Sequence, residues 1–84
     1  MLNRELLDDD MVVFSEPEYD DAIIGTTHDG RVVYDYDLMV GVLMERDGMT
    51  WEEAAEFIDY NTIRSLPYVE RSPVVMYPLA KEEE

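Results

Sequence analysis

Apolar and β-prone residues between positions 22 and 34 predict a β-hairpin. Two short runs flank the tripeptide HDG at 28–30. Asp-Gly between such runs is a strong hairpin signal, because glycine adopts positive φ angles at little cost. Runs at 11–14 and 74–77 are also rich in β-branched and aromatic residues, and prolines enclose the second. Both are candidate edge strands, since proline is tolerated at the edge of a sheet.

The pattern after the hairpin changes to that of a helix at about 36–47. Asp35 or Asp37 can cap its N terminus, because aspartate accepts hydrogen bonds from free backbone N–H groups. Apolar residues surround most of its circumference, which predicts a helix covered on several sides. Gly41 costs about 1 kcal/mol relative to alanine in a helix interior, so it predicts close backbone contact with a neighbour.

A second helix is predicted at about 51–65. Thr50 and Glu53 have the spacing of a capping box, in which each side chain satisfies the backbone N–H of the other residue. Apolar or small residues then recur every three or four positions, as on the buried face of a helix. They are Trp51, Ala54, Ala55, Ile58, Thr62 and Leu66.

Asn61 is predicted to lie within this apolar stripe, one turn beyond Ile58. A buried amide must find hydrogen-bond partners, because leaving it unpaired costs about 1–3 kcal/mol. We therefore expect Asn61 to act as a structural latch on the backbone of the N-terminal arm or of residues 65–68. Tyr60 and Tyr68 are expected to pack over the end of the helix.

The order of these elements predicts an α+β fold, with two helices packed against a small antiparallel sheet. A chain of 84 residues has room for one core, so residues 1–84 are expected to form a single domain. Residues 1–10 and 80–84 are expected to be flexible ends.

Charge narrows the choice of partner. The formal net charge is −15, from 21 acidic and 6 basic residues. Direct binding to nucleic acid depends on Lys and Arg at phosphates. A DNA-binding ribbon-helix-helix protein is therefore disfavoured, since Arg31 would be the single basic residue of its β-ribbon. A negatively charged surface attracts positively charged molecules, which favours a basic protein partner. The alternative is that the charge serves solubility alone.

Catalysis, metals and cofactors find little support. The chain has no cysteine, and its one histidine, His28, falls in the predicted turn. Acidic pairs are common in so acidic a chain, and none has the spacing of a calcium-binding loop. We expect no enzymatic activity, metal or cofactor.

The start of the chain does not resemble a signal peptide, and its longest apolar run is too short to span a membrane. A cytoplasmic location is expected, in the host cytoplasm if a phage encodes the chain.

The candidate partner-binding residues are carboxylates on the polar face of the second helix. Glu52, Glu56 and Asp59 recur at four- and three-residue intervals, which places their side chains about 5–6 Å apart on one face. A second acidic patch is expected near the N terminus, formed by Asp8, Asp9, Asp10, Asp20 and Asp21.

Residues 21–68 resemble a group of small acidic proteins encoded by bacteriophages and other bacterial mobile elements. The resemblance is carried by the stretches DDAIIG (20–25), DGRVVYDYD (29–37), DGMTWEEAAEFIDYNT (47–62) and RSLPY (64–68). This group has no established activity, and the resemblance transfers no catalytic residue.

The resemblance implies a type of function. Phage-borne acidic miniproteins are similar in type to inhibitors of host defence, including anti-CRISPR and anti-restriction proteins. Many of these inhibitors bind the nucleic-acid surface of a nuclease. We therefore expect a DNA-mimic inhibitor of a basic host protein. The alternative is a small structural or regulatory protein that acts as a homodimer.

Overall fold

The structure is a computed structural model that describes Leu7, residues 11–15 and residues 18–79. Strands β1 (Ile23–Thr26) and β2 (Val32–Asp35) are followed by helices α1 (Tyr36–Asp47) and α2 (Trp51–Phe57). A π-helical turn (Ile58–Thr62) and a 3₁₀ helix (Ile63–Tyr68) extend α2, and strand β3 (Val74–Met76) completes the fold. The predicted α+β architecture is confirmed. The expected flexible ends, 1–10 and 80–84, lie outside the described residues apart from Leu7.

The hairpin forms where the sequence predicts it. Strands β1 and β2 are antiparallel, with Thr26 opposite Val32 and a register shift between Ile23 and Gly25. Gly30 has a φ of 85° in the turn, a backbone angle that would be strained for a residue with a side chain. The Thr27 carbonyl accepts a hydrogen bond from the Gly30 N–H at 3.0 Å, which closes the turn.

The sheet is mixed, which corrects the prediction of a purely antiparallel sheet. Strand β3 pairs with β2 in parallel, with Val33 opposite Val74, so β2 is the central strand. A parallel pair needs a long crossover, because the chain must return to the same end of the sheet. Helices α1 and α2 supply that crossover. The prediction of an edge strand at 74–77 is confirmed for Val74–Met76.

The predicted strand at 11–14 is wrong. This segment instead covers the sheet through aromatic contacts, with the Phe14 ring 4.7 Å from the Tyr34 ring and 5.8 Å from the Tyr19 ring. The Phe14 backbone N–H donates to the Tyr34 hydroxyl at 3.0 Å rather than to a neighbouring strand. Packing of a large aromatic side chain therefore determines the path of this segment.

The core lies between the sheet and the two helices. Its fully buried side chains come from every layer, and the largest are Tyr19, Tyr34, Met39, Leu43, Ile58, Val32 and Val40. Asp35 caps α1 by accepting a hydrogen bond from the Leu38 N–H at 3.1 Å, as predicted. Gly48 ends α1 in the left-handed conformation, with a φ of 70°.

Helix α1 is buried on one side only, which corrects the prediction that it is covered on several sides. Leu38 and Met44 are 47% and 39% exposed. Gly41 is also exposed, and an added Cβ there would meet no atom within 4 Å. The glycine is therefore not required for close packing. A two-layer domain covers one face of a helix and leaves the opposite face open.

Candidate functional site

The capping box fixes the start of the acidic helix α2. The Thr50 hydroxyl accepts a hydrogen bond from the Glu53 N–H at 3.1 Å, and the Glu53 carboxylate accepts one from the Thr50 N–H at 3.0 Å. Glu52 and Glu53 lie in the first turn, where the helix dipole favours negative charge. Ala54 and Ile58 of the predicted apolar stripe are buried, whereas Trp51 is 54% exposed, which corrects its place on the buried face. The carboxylates of α2 lie on the outer surface.

The predicted carboxylate ladder is exposed along this surface. Glu52 and Glu56 lie in α2, and Asp59 lies in the π-helical turn that follows. All three are exposed, and so is Glu53, which the predicted site omitted. We call these four residues (Glu52, Glu53, Glu56 and Asp59) the acidic face.

Asp59 is held in place by a residue of α1. The Tyr36 hydroxyl donates a hydrogen bond to Asp59 Oδ1 at 3.2 Å. The Tyr36 ring stacks on Tyr77 with centroids 4.6 Å apart and an interplanar angle of 25°. Burial, reinforced by the Asp59 carboxylate, raises the pKa of Tyr36 to about 12. The acidic face is thus connected to the core, because Tyr36 itself is only 7% exposed.

Few cations neutralise the acidic face. Within the described part of the chain, the only ion pair joins Arg46 and Asp47 at 3.8 Å. Two arginines bind backbone carbonyls instead: Arg31 Nε donates to the Ser72 oxygen at 2.8 Å, and Arg71 Nη2 donates to the Gly30 oxygen at 3.4 Å. No described cation pairs with Glu52 or Glu56, so these two carboxylates face solvent or a partner.

A surface groove lies beside the acidic face. It is lined by Met49, Glu53, Glu56, Phe57, Tyr60 and Asn61. Met49 and Phe57 are partly buried against the core, and Tyr60 is 67% exposed. The sequence carries a weak signal for this groove, because Glu53, Glu56, Phe57 and Tyr60 recur at the three- and four-residue spacing of one helix face.

The predicted role of Asn61 is wrong. Asn61 is exposed, and its Nδ2 donates to the Phe57 carbonyl of its own helix at 3.2 Å. The Ile63 N–H donates to the Ile58 carbonyl, five residues back, which is the hydrogen bond of a π-helical turn. This turn changes the angular spacing of the side chains, and the prediction for Asn61 had assumed a regular α-helix. Thr62 is buried near this position instead. Tyr60 and Tyr68 do not pack over the helix end as expected, since they are 67% and 89% exposed.

The second predicted patch is only partly described. Asp8, Asp9 and Asp10 lie outside the described residues. Asp20 is 5% exposed, which corrects the expectation that a partner can reach it. Asp21 is exposed and lines a shallow depression with Glu18 and Glu45.

The described part of the chain shows neither a metal-binding cluster nor a membrane-spanning helix. His28 is exposed in the hairpin turn. The described residues contain no group of three or more His, Cys, Asp or Glu side chains placed to hold a metal ion. None of the described helices combines the length and the apolar character needed to cross a membrane.

No protein-family model, curated protein or solved structure matches the chain. The resemblance of residues 21–68 to acidic phage-encoded proteins therefore stays a prediction.

Proposed function

We propose that this chain is a non-enzymatic acidic binding protein that occupies the basic, nucleic-acid-binding surface of a host protein. Its negative face takes the place of a nucleic acid, as in a DNA mimic. The resemblance to phage-encoded proteins supports a phage origin and makes a nuclease or another defence complex the target class.

The acidic face is the observation that supports this proposal. Glu52 and Glu56 are exposed and form no ion pair with any described residue. Asp59 accepts its hydrogen bond from a neutral tyrosine hydroxyl, so this bond places no positive charge beside the carboxylate. Concentrated charge of one sign raises the rate at which oppositely charged surfaces associate.

The density of charge is comparable with that of a nucleic acid. The acidic face carries four carboxylates between Glu52 and Asp59. Seven residues of helix correspond to roughly 10 Å along the axis. One strand of DNA carries about three phosphates over the same length, at about 3.4 Å each. A basic channel that binds a phosphate strand would therefore meet a similar charge on this helix.

Affinity capture with matched variants tests the proposal. The tagged chain is immobilised, incubated with bacterial lysate in about 0.1 M salt, and washed with a short DNA duplex. We expect the duplex to release a basic nucleic-acid-binding protein. Salt at about 1 M should release it too, because the screening length falls from about 10 Å to about 3 Å.

Two charge-reversal variants provide the control. Glu56→Lys changes the acidic face, whereas Glu70→Lys makes the same change in net charge at an exposed position outside both predicted acidic patches. Loss of capture is expected for the first variant only. Capture that both variants retain, or that is indifferent to salt and DNA, contradicts the proposal.

A second candidate function is dimerisation with a structural or regulatory role. It is favoured by strand β1, which lies at the edge of the sheet and exposes 49% of Ile24. A second copy of the chain can pack against an outer strand that exposes an apolar side chain. Sedimentation equilibrium of the purified protein tests it, with Ile24→Lys as the variant. A concentration-dependent dimer that this substitution abolishes supports the second function, and a monomer at all concentrations rejects it.

A further inference from the structure

The groove beside the acidic face combines three kinds of contact. Met49 and Phe57 offer apolar surface, Tyr60 offers an exposed aromatic ring, and the carboxylates of Glu53 and Glu56 lie at the same groove. A pure phosphate mimic needs only the carboxylates. The apolar and aromatic lining therefore restricts the choice of partner more than charge alone does.

The structure shows that Tyr60 accepts a guanidinium group. The Arg64 Cζ atom lies 4.7 Å from the centroid of the Tyr60 ring, which is the geometry of a cation–π contact. Arg64 is not among the residues that line the groove. Tyr60 itself lines the groove and is 67% exposed, so part of this aromatic side chain is accessible to a cation from outside.

We propose that the groove binds a basic peptide segment of the partner that presents an arginine next to an apolar side chain. The arginine lies against Tyr60 with its charge facing Glu56, and the apolar side chain contacts Met49 and Phe57. This inference rests on the proposed function and specifies which part of a basic partner is recognised. Arginine is favoured over lysine, because its planar guanidinium stacks on aromatic rings and pairs with carboxylates in a fixed geometry.

Three synthetic peptides of equal length and charge serve as probes in calorimetric titrations. One alternates arginine with leucine, one alternates arginine with serine, and one alternates lysine with leucine. We expect the arginine–leucine peptide to bind at least about fivefold more tightly than either of the others, because only it meets both the ring and the apolar lining. Amide chemical shifts should change at Met49, Phe57 and Tyr60.

Substitutions at Tyr60 separate the groove from general charge. Tyr60→Ala should weaken the arginine–leucine peptide by about two- to fivefold, the effect of an exposed cation–π contact. Tyr60→Phe should restore binding because it retains the ring. Tyr68→Ala is the matched control, since Tyr68 is 89% exposed and does not line the groove. Circular dichroism confirms that each variant is folded.

A second matched pair tests the carboxylates. Glu56→Gln should weaken binding more than Glu52→Gln does, although both remove one charge from the same helix. Equal binding of the three peptides, or an unchanged affinity in Tyr60→Ala, overturns the groove while leaving the charge-based proposed function in place. Absence of binding to every peptide also overturns the groove, whereas the proposed function is decided by the capture experiment with the charge-reversal variants.

Discussion

The hydrogen bond between Tyr36 and Asp59 can be tested by substituting Tyr36 with Phe. This change removes one hydroxyl from a ring that is 7% exposed and leaves its stacking on Tyr77 in place. Hydrogen bonds to charged groups contribute about 1.5–3 kcal/mol. Asp59 is exposed to water, which lowers the expected loss to about 1 kcal/mol.

Thermal unfolding measures this loss. For a domain of this size, 1 kcal/mol corresponds to a fall in Tm of about 4–8 °C. Tyr68→Phe is the control, because Tyr68 is 89% exposed and should leave the Tm unchanged. The Tyr36 hydroxyl also lies 3.5 Å from the Ala55 carbonyl oxygen. A double-mutant cycle with Asp59→Ala separates the two contacts, since Tyr36→Phe should have a smaller effect once the carboxylate is gone.

Alkaline pH gives an independent readout of the same pair. The pKa of Tyr36 is raised from an ordinary value of 10 to about 12, mainly by burial and then by Asp59. The folded state therefore holds the proton more tightly than the unfolded chain, so stability is intact below pH 10 and falls as the pH rises through 12. Burial also raises the pKa of Tyr19 and Tyr77, so Tyr36→Phe should remove only part of this fall.

Two results would contradict the hydrogen bond between Tyr36 and Asp59. The first is a Tyr36→Phe variant whose stability lies within about 0.5 kcal/mol of the unsubstituted protein, the range of a neutral surface change. The second is a stability profile between pH 10 and 12 that Tyr36→Phe does not alter. Either result would mean that Asp59 is not held by this hydroxyl.

Four further predictions concern stability, each measured by urea unfolding. Gly41→Ala should stabilise the chain by about 0.5–1 kcal/mol, because α1 gains a better helix former and the added Cβ meets no atom within 4 Å; a loss of stability would indicate a contact at this exposed position. Ile58→Ala should cost about 2–5 kcal/mol, since Ile58 is fully buried. Asn61→Ala should cost less than about 1 kcal/mol, since its bond to Phe57 is exposed; the reverse order of these two losses contradicts the assignment of the core. Thr50→Ala should cost about 1 kcal/mol through loss of the cap, whereas Thr50→Ser should retain most of it; equal losses would show that the capping box contributes little.

The sequence alone determined the local elements and the outward-facing charge. Asp35, Thr50 with Glu53, and Gly30 act through hydrogen bonds or backbone angles within a few residues, so their roles were readable from spacing. The exposure of Glu52, Glu56 and Asp59 followed from their positions opposite the apolar stripe.

Only the tertiary structure decided how these elements meet. The parallel pairing of β3 with β2 depends on the path of the whole chain between them. Contacts between distant elements also decide which residues are buried. Asp20 is buried, one side of α1 is exposed, and Asn61 points outward from the π-helical turn. Periodicity indicates which residues share a helix face, but packing against distant elements determines which face is covered.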